Sequence, residues 1–526
     1  MIKSELVTKR SSKYNEKFRM ILRYLSFLIP QKLMNEVQVY GYHFSWKSNI
    51  LVICCVLLGM GVIGILFRLK MIGFLLEMAV VILLFPAFVL FVYMQMYEQK
   101  KFADAVTYAE QVLYSFQKNR KIVSALRETA GIFEDGKMRM TIEDAVAYIE
   151  AGYAKTEQGI LKEALAIIEK SYDCSKIRMT HNLLISSEEH GGDMEQALFL
   201  LLNDIENWKR RGYRLQAEKK ESHRDNMISV IVATILCISS LYALNALGTL
   251  FPVAQEIDIF SVGIIQVSSF VFILFLLLVL VKSFRSLTVS WLKNESLYDT
   301  SYILSCYSKV IEYDEKKEKR KSIIVASMMF IGAVLAFCFK QFWIGIALIL
   351  ITGVMLMQYR IGYNMAKRDV NDELYMELPQ WLMEIALLLQ NNNVQVSIIK
   401  SIDGAPPLLQ KELYMLVERL ELAPEDLTSY VNFCKRFDIP EAQSCMKMLH
   451  AISESGTGNS QIQIHNLLKR VQEMQELADD IRTQEQAFKM KLLFSYPVIG
   501  ATAKLLLDLS VGMFYLFSLV GSMGGV

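Results

Sequence analysis

Seven apolar runs of membrane-crossing length are set between long polar stretches, and this alternation constrains the chain more than any motif in it. The runs fall at 50–67, 74–95, 227–248, 260–281, 322–339, 342–359 and 492–523. A helix needs about 20 apolar residues to cross a hydrocarbon layer. Inside that layer only helices and closed barrels satisfy the backbone. Apolar residues make up 53% of the 526, and mean hydropathy is +0.29. That is greasy for a soluble globule and polar for a protein made only of spans. The pattern predicts an all-α polytopic membrane protein with about seven transmembrane helices and two cytoplasmic helical bundles. Its expected parts are a basic N-terminal segment 1–48, a transmembrane hairpin 49–97 and a helical domain 98–226. Two spans in 227–283, a linker 284–321 and a second hairpin 322–360 follow. A second helical domain 361–490 and a terminal span 491–526 complete the chain.

Charge sets the expected orientation. Nine Lys and Arg lie in 1–48, including Lys9, Arg10, Arg19 and Lys32, against Glu5, Glu16 and Glu36. Lys209, Arg210, Arg211, Arg214, Lys219 and Lys220 precede the third span. The positive-inside rule places both groups in the cytoplasm. The loop before 260 carries Glu256 and Asp258 and no Lys or Arg, as an outside loop does. Arg68 and Lys70, in the first hairpin turn, run against this assignment. The scheme puts the N-terminus and both helical domains in the cytoplasm of a multi-pass cell-membrane protein, with the C-terminus outside. The polar blocks show apolar residues at helical spacing and no strand alternation. No proline occurs between Asp193 and Phe251, so one helix is expected to leave the first block and enter the membrane. Pro379 is placed in the first turn of a helix carrying Leu378, Trp381, Leu382 and Ile385, and the last apolar stretch is kinked or re-entered at Pro497.

Glu188-Glu189-His190-Gly191-Gly192-Asp193 marks a corner. Two glycines stop one helix, and Asp193 with Gln196 starts the next as a capping box. A fainter copy reads Glu454-Ser455-Gly456-Thr457-Gly458-Asn459. Gln111 to Leu126 and Glu384 to Ile399 align without gaps, matching Gln117 with Gln390, Asn119 with Asn392 and Ser124 with Ser397. The chain therefore reads as one unit built twice in parallel, with span 260–281 restoring the side of the membrane.

Catalytic signatures are sparse. Gly59-Met60-Gly61-Val62-Ile63-Gly64 lies inside the first span, where glycines serve close helix packing and no strand precedes them. There is no P-loop, no H-E-x-x-H and no nucleophile elbow. His181 and His190 read as surface or capping residues. The eight cysteines have no metal-type or disulfide spacing. A net charge of +2 without a basic aromatic stripe gives no sign of nucleic-acid binding. No enzyme activity, cofactor or metal is expected. Glu77 is placed at an interface. Lys504 and Asp508, spaced i,i+4, form a candidate intramembrane ion pair. Either Lys504 snorkels from an interfacial helix, or the pair contacts another helix of an assembly. Glu188, Glu189, Gly191, Gly192, Asp193, Glu454 and Gly456 are candidate partner contacts. A transporter or channel subunit is the alternative reading, and it would need polar residues lining a path at mid-membrane.

The stretch Glu189 to Leu198, late in a helical block that leads into a span, resembles the type II secretion system F-domain family. These are the inner-membrane platforms of type II secretion and type IV pilus machines. Leu378-Pro379-Gln380-Trp381-Leu382, Gln390-Asn391-Asn392 and Ile398 to Pro407 are similar to the Tad (tight adherence) branch. The resemblance covers most of the chain from about residue 50. Two departures stand out: Gly456-Thr457-Gly458-Asn459 replaces the Gly-Gly-Asp turn, and two copies share one chain. The resemblance implies a non-enzymatic scaffold whose partners are a cytoplasmic secretion ATPase, pilin-like membrane subunits, the lipid bilayer and further copies of itself as a homo-oligomer.

Overall fold

The computed structural model describes residues 23–152, 159–190, 195–249, 258–292, 298–338, 342–389, 392–423, 426–455 and 460–523. Among these the regular elements are all helical. They run α1 (Pro30–Val39), α2 (Trp46–Leu66), α3 (Met71–Asn119), α4 (Ile122–Ala130), α5 (Lys137–Ala151), α6 (Ile160–Ser171), α7 (Ser175–His190), α8 (Glu195–Thr249) and α9 (Gly263–Leu287). The second part runs α10 (Thr300–Ile311), α11 (Glu315–Cys338), α12 (Phe342–Leu388), α13 (Val394–Ser401), α14 (Pro407–Leu422), α15 (Leu427–Val431), α16 (Pro440–Ser455) and α17 (Ser460–Met523).

The order repeats. Helices α1 to α8 and α10 to α17 follow a similar order of long and short, with α9 alone between them, except that α6 has 12 residues and its counterpart α15 has 5. The long α3 and α12 have 49 and 47 residues, and α7 and α16 have 16 each. In the register that matches Gln117 to Gln390, Ala105, Tyr108, Ala109, Val112 and Phe116 align with Leu378, Trp381, Leu382, Ile385 and Leu389, and all ten are buried. Ile177, Thr180, His181 and Leu184 of α7 likewise keep step with the buried Ala442, Cys445, Met446 and Leu449 of α16.

Five helices among the described residues are long and apolar enough to cross a membrane: α2, α3, the α8 stretch Ala197–Ala246, α9 and the α17 stretch Leu492–Tyr515. This is consistent with a membrane protein. The further expected spans 322–339 and 342–359 fall on α11 and α12, on either side of residues 339–341, which lie outside the described residues. Gly64 of α2 faces α3 so closely that a Cβ there would stand 2.7 Å from Glu77 Oε2 and 2.8 Å from the Phe74 ring. Of the glycine run in α2 only Gly64 makes such an approach: a Cβ at Gly59 would meet nothing within 4 Å, and one at Gly61 would stand 3.8 Å from the Phe74 ring. Glu77 is 1% exposed, enclosed between these helices.

Several boundaries differ from the sequence expectation. Helix α3 does not stop at the end of its apolar run but continues to Asn119, through Pro86. Helix α12 does the same, so Pro379 lies deep inside a 47-residue helix and not in a first turn. A proline in a helix interior removes one backbone donor, and burial of Leu378, Trp381 and Leu382 around it outweighs that loss. Helix α17 also runs unbroken through Pro497, with no re-entry. There the Ser229 hydroxyl of α8 donates to the Phe494 carbonyl at 3.1 Å, in the turn the proline disturbs. Helix α8 is continuous for 55 residues, as its lack of proline predicts.

The two polar blocks are not separate bodies. One hydrophobic core runs from Phe102 to Met474 and takes in both. The stretch 284–321, expected as a linker, also enters it: α10 buries Ile303, Cys306, Tyr307 and Val310, and the Tyr307 hydroxyl donates to Glu412 at 2.7 Å. A second core, at the apolar end, joins Phe67, Val81, Cys237, Leu241, Phe272 and Ala501.

Candidate functional site

The corner at 188–193 is built differently from the sequence reading. Glu188 is not a displayed acid. Its carboxylate accepts a 2.7 Å hydrogen bond from the backbone N–H of Ile122, the first residue of α4. That donor is one of the orphans of a helix N-terminus, and Lys121 at the N-cap gives it no side-chain acceptor. Glu188 thus caps α4 from the neighbouring helix. Glu189 lies in the last turn of α7, and its side chain lies outside the described residues, as do Gly191, Gly192, Asp193 and Gly456. Glu454 is exposed and stands 3.6 Å from His450 Nε2.

His181 corrects another expectation. It is fully buried, not a surface or capping residue. Its Nε2 pairs with the Tyr108 hydroxyl at 2.8 Å and its Nδ1 with Glu169 at 2.8 Å. A buried imidazole is retained because both ring nitrogens are satisfied. Burial raises the Tyr108 hydroxyl well above its ordinary pKa, with Glu169 adding to the shift, so it acts as a fixed donor. The side chain of His190 lies outside the described residues.

At the apolar end Lys504 and Asp508 pair at 2.7 Å, with their side chains 2% and 0% exposed. Ser268 of α9 joins them: its hydroxyl donates to Asp508 at 3.2 Å and lies 3.3 Å from Lys504 Nζ. The ammonium also sits 5.6 Å from the Phe67 ring centre. Lys504 therefore does not snorkel; it is held inside the helix cluster. Gly500, one turn earlier, is where Phe275 of α9 presses in, since a Cβ would stand 2.6 Å from that ring. An apolar groove of about 720 Å3 runs beside the pair, between Val271 and Phe275 of α9 and Ile499, Ala503 and Leu507 of α17.

Arg68 and Lys70, the charges that run against the sequence topology, are tied to the turn before α9. Arg68 lies over the Phe260 and Tyr242 rings, at 4.7 and 5.5 Å. Lys70 Nζ donates to the Ser261 carbonyl at 2.9 Å, and Gln266 accepts from the Lys70 backbone N–H at 2.8 Å. The first hairpin turn and the start of α9 therefore share one end of the molecule, and the two cations serve as its clasp.

The seam between the halves carries residues that sequence reasoning missed. Asp204 of α8 is 1% exposed and pairs with the buried Lys176 of α7. Gln475 of α17 reaches it from the other half at 3.4 Å, and Arg211 lies 3.9 Å away. Arg211 also donates to Gln475 at 3.3 Å. Lys176 lies one turn before the buried Thr180, on the face that α7 turns to the core. Further along, Cys237 Sγ approaches the Ala501 carbonyl at 3.9 Å. The two long helices α8 and α17 thus run side by side from the polar core into the apolar end.

On chemistry the arrangement is restrained. Among the described residues no three His, Cys, Asp or Glu side chains converge to hold a metal ion. Comparison with family models, curated proteins and solved structures returns no match for this chain.

Proposed function

We propose that the chain is a non-enzymatic membrane platform of a type II secretion or Tad-like type IV pilus machine, coupling a cytoplasmic ATPase to assembly of pilin-like subunits. In this reading the polar core and the N-terminus face the cytoplasm, seven helices cross the membrane, and α11 and α12 supply the two further spans. The observation that carries it is the pairing of α8 and α17. Each is one continuous helix that starts in the joint core and ends among the apolar helices, and the two are bonded along their length at Asp204–Gln475, Arg211–Gln475 and Ser229–Phe494. A helix without proline or an inserted defect resists bending. Helix α8 is such a rod, and α17, which carries Pro497, is clasped to it beside that turn; the pair suits a part that transmits a push or turn across a membrane.

The experiment is a pair of prolines near Arg214 in α8. Fibre or secretion assembly is expected to stop while membrane insertion persists; normal assembly in that variant sinks the reading. Capture of the ATPase is tested separately with Glu189→Lys and Asp193→Lys, leaving Glu188 in place because it caps α4. A channel or transporter subunit would draw on Lys504, Asp508 and Ser268 as a polar path, but these groups satisfy one another.

A further inference from the structure

By charge, residues 1–48 belong in the cytoplasm, yet 23–44 fold back onto the apolar end. A helical turn at 23–26 meets α1 across a bend at 27–29, and Arg23 pairs with Glu36 at 3.2 Å. Leu33 and Val37 of α1 are buried in one cluster with Phe44, Phe85 and Val89. Phe85 and Val89 lie inside the apolar run 74–95 of α3, a helix long and apolar enough to cross a membrane. The Tyr24 hydroxyl reaches further in and donates to the Leu83 carbonyl at 2.7 Å. Leu83 lies twelve residues before the end of that run, about 18 Å at the helical rise per residue. It belongs to the turn where Pro86 removes a backbone donor. The bond is the counterpart of the one from Ser229 to Phe494 beside Pro497.

Aromatic side chains give a second mark of depth. The Tyr40 and Tyr97 ring centres are 5.3 Å apart, and Tyr42 and Phe44 stand 5.7 and 5.6 Å from Tyr93. Exposed Trp46 follows at the start of α2. Tyrosine and tryptophan gather where hydrocarbon gives way to headgroups, and Tyr93 and Tyr97 bracket the end of the α3 run. The faces of the segment divide accordingly. Gln31, Lys32, Asn35 and Gln38 are exposed on one side of α1, opposite the buried Leu33 and Val37. Around the bend the exposed side chains are instead Leu25, Leu28 and Ile29. Ile82 and Leu83, in the α3 turn that Tyr24 reaches, are exposed as well, so the bend extends the apolar surface of the span. We propose that residues 23–44 are an interfacial membrane anchor. Helix α1 lies at headgroup level with its polar face outward, and the bend 25–29 enters the hydrocarbon of the same leaflet, where lipid acyl chains cover it. Anchors of this kind sink an apolar face about 5–10 Å below the headgroups. Through Tyr24 the anchor also braces α3 at Pro86. The inference rests on α3 crossing a membrane and on nothing else in the platform reading.

The test places the photo-reactive residue p-benzoylphenylalanine, one site at a time, at Leu28, Ile29, Asn35 and Leu51 of the full-length chain in phosphatidylcholine nanodiscs. On illumination it joins to C–H groups in contact with it, and mass spectrometry identifies what it has joined. All four sites are exposed, so the larger side chain is accommodated. Leu51, inside the run 50–67 of α2, is the control for a lipid-facing position. Acyl-chain adducts are expected at Leu28 and Ile29 in yields comparable to Leu51, and several-fold fewer at Asn35. Tyr24→Phe keeps the apolar bend and drops the bond to Leu83, so hydrogen exchange should rise around Pro86 while the Leu28 adduct persists. Adducts at Leu51 but none at Leu28 or Ile29 would put the bend in water and overturn the anchor. A cross-link from Leu28 to a second copy of the chain, without lipid adduct, would assign the face to a protein contact and overturn it equally. Exchange around Pro86 that Tyr24→Phe leaves unchanged would overturn the bracing of α3. Absence of adduct at Leu51 as well would remove the membrane crossing on which the anchor rests. Failure of the platform reading is seen separately, in the assembly readout of the α8 proline variant.

Discussion

Helices α3 and α12 bury the same positions yet satisfy them by different chemistry. Tyr108 and Trp381 share a place in the repeat, and both are buried. Tyr108 turns its hydroxyl to His181, which Glu169 holds from the other side. Trp381 donates instead to Ser401 at 2.8 Å, and where His181 stands the second half has the apolar Met446. One turn earlier Asp104 matches Glu377, and two turns earlier Lys100 matches Glu373. Burial raises Asp104, and Lys100 pulls it back. Burial raises Glu377 to about 8, and Glu373 adds to the rise. The repeat preserves which faces are buried, while each half has its own means of burying polar groups. The long helices diverge too. The buried line of α8 at the apolar end reads Ala233, Cys237, Leu241, and that of α17 ends in Lys504 and Asp508.

The last difference gives the largest expected effect. Asp508→Leu strands a buried ammonium with Ser268 as its remaining partner. Breaking one side of a buried pair costs about 3–5 kcal/mol. The double variant Lys504→Met with Asp508→Leu makes α17 resemble α8 and should recover most of that loss. Thermal unfolding in nanodiscs checks both. A double variant as unstable as the single one would show that the pair does more for α17 than satisfy itself.

The acids at the matched positions come next. Glu377 is raised from 4.5 to about 8. Below about pH 4.5 both folded and unfolded chains hold its proton, and its contribution is fully present. As pH rises the unfolded chain ionises first, so stability falls until about pH 8. Glu377→Gln should flatten that decline and gain roughly 3 kcal/mol at pH 9, discounted from the full shift because the site relaxes. At pH 4 the variant should be close to wild type. Asp104→Asn should change the pH profile less, since Lys100 already favours its charged form. Equal effects at the two sites would break the comparison.

Part of this was legible in the residues. Apolar runs and helical spacing gave the helices, and the short matches around Gln117 and Gln390 gave the duplication. The absence of proline predicted the continuity of α8. Other features were hidden for physical reasons. An apolar stripe such as Leu378, Trp381, Ile385 says that a face is buried, not against what, so the merging of two blocks into one core was invisible. Pro379 misled because a starting helix tolerates proline more readily than a helix interior, and the interior is excused here by packing alone. The partner of Glu188 is Ile122, 66 residues away, and no local spacing announces such a cap. Snorkelling stayed open as an alternative for Lys504 because Ser268 and Phe67, which hold it, come from distant helices.

A smaller effect separates the two buried aromatics. Tyr108→Phe leaves His181 Nε2 without its partner and should cost about 1–3 kcal/mol, the penalty of an unsatisfied buried group. Ser401→Ala leaves the Trp381 N–H in the same position, but that contact joins two neutral groups, whereas the carboxylate of Glu169 stands behind His181. Its loss should be at the lower end of the range. Reversal of that order in thermal unfolding would mean that the Trp381 contact, not the His181 network, is the tighter polar lock.

The smallest effect concerns how each half starts the helix after its long one. In the second half α13 supplies its own cap: the Asn393 side chain accepts from the Val396 N–H at 2.9 Å. In the first half α4 has no such residue, and Glu188 reaches over from α7 instead. Asn393→Ala should cost about 1 kcal/mol, the usual loss for a local cap. Glu188→Ala should cost about the same at α4, but it also removes a tie between two helices, so hydrogen exchange should rise in α7 as well as in α4. Glu188→Gln keeps an acceptor and should lose only a few tenths of a kcal/mol, because the helix N-terminus favours the negative charge it removes. If exchange in α7 is unchanged in Glu188→Ala, the cap serves α4 alone, and the corner at 188–193 is not what couples the bundle to the helix leaving it.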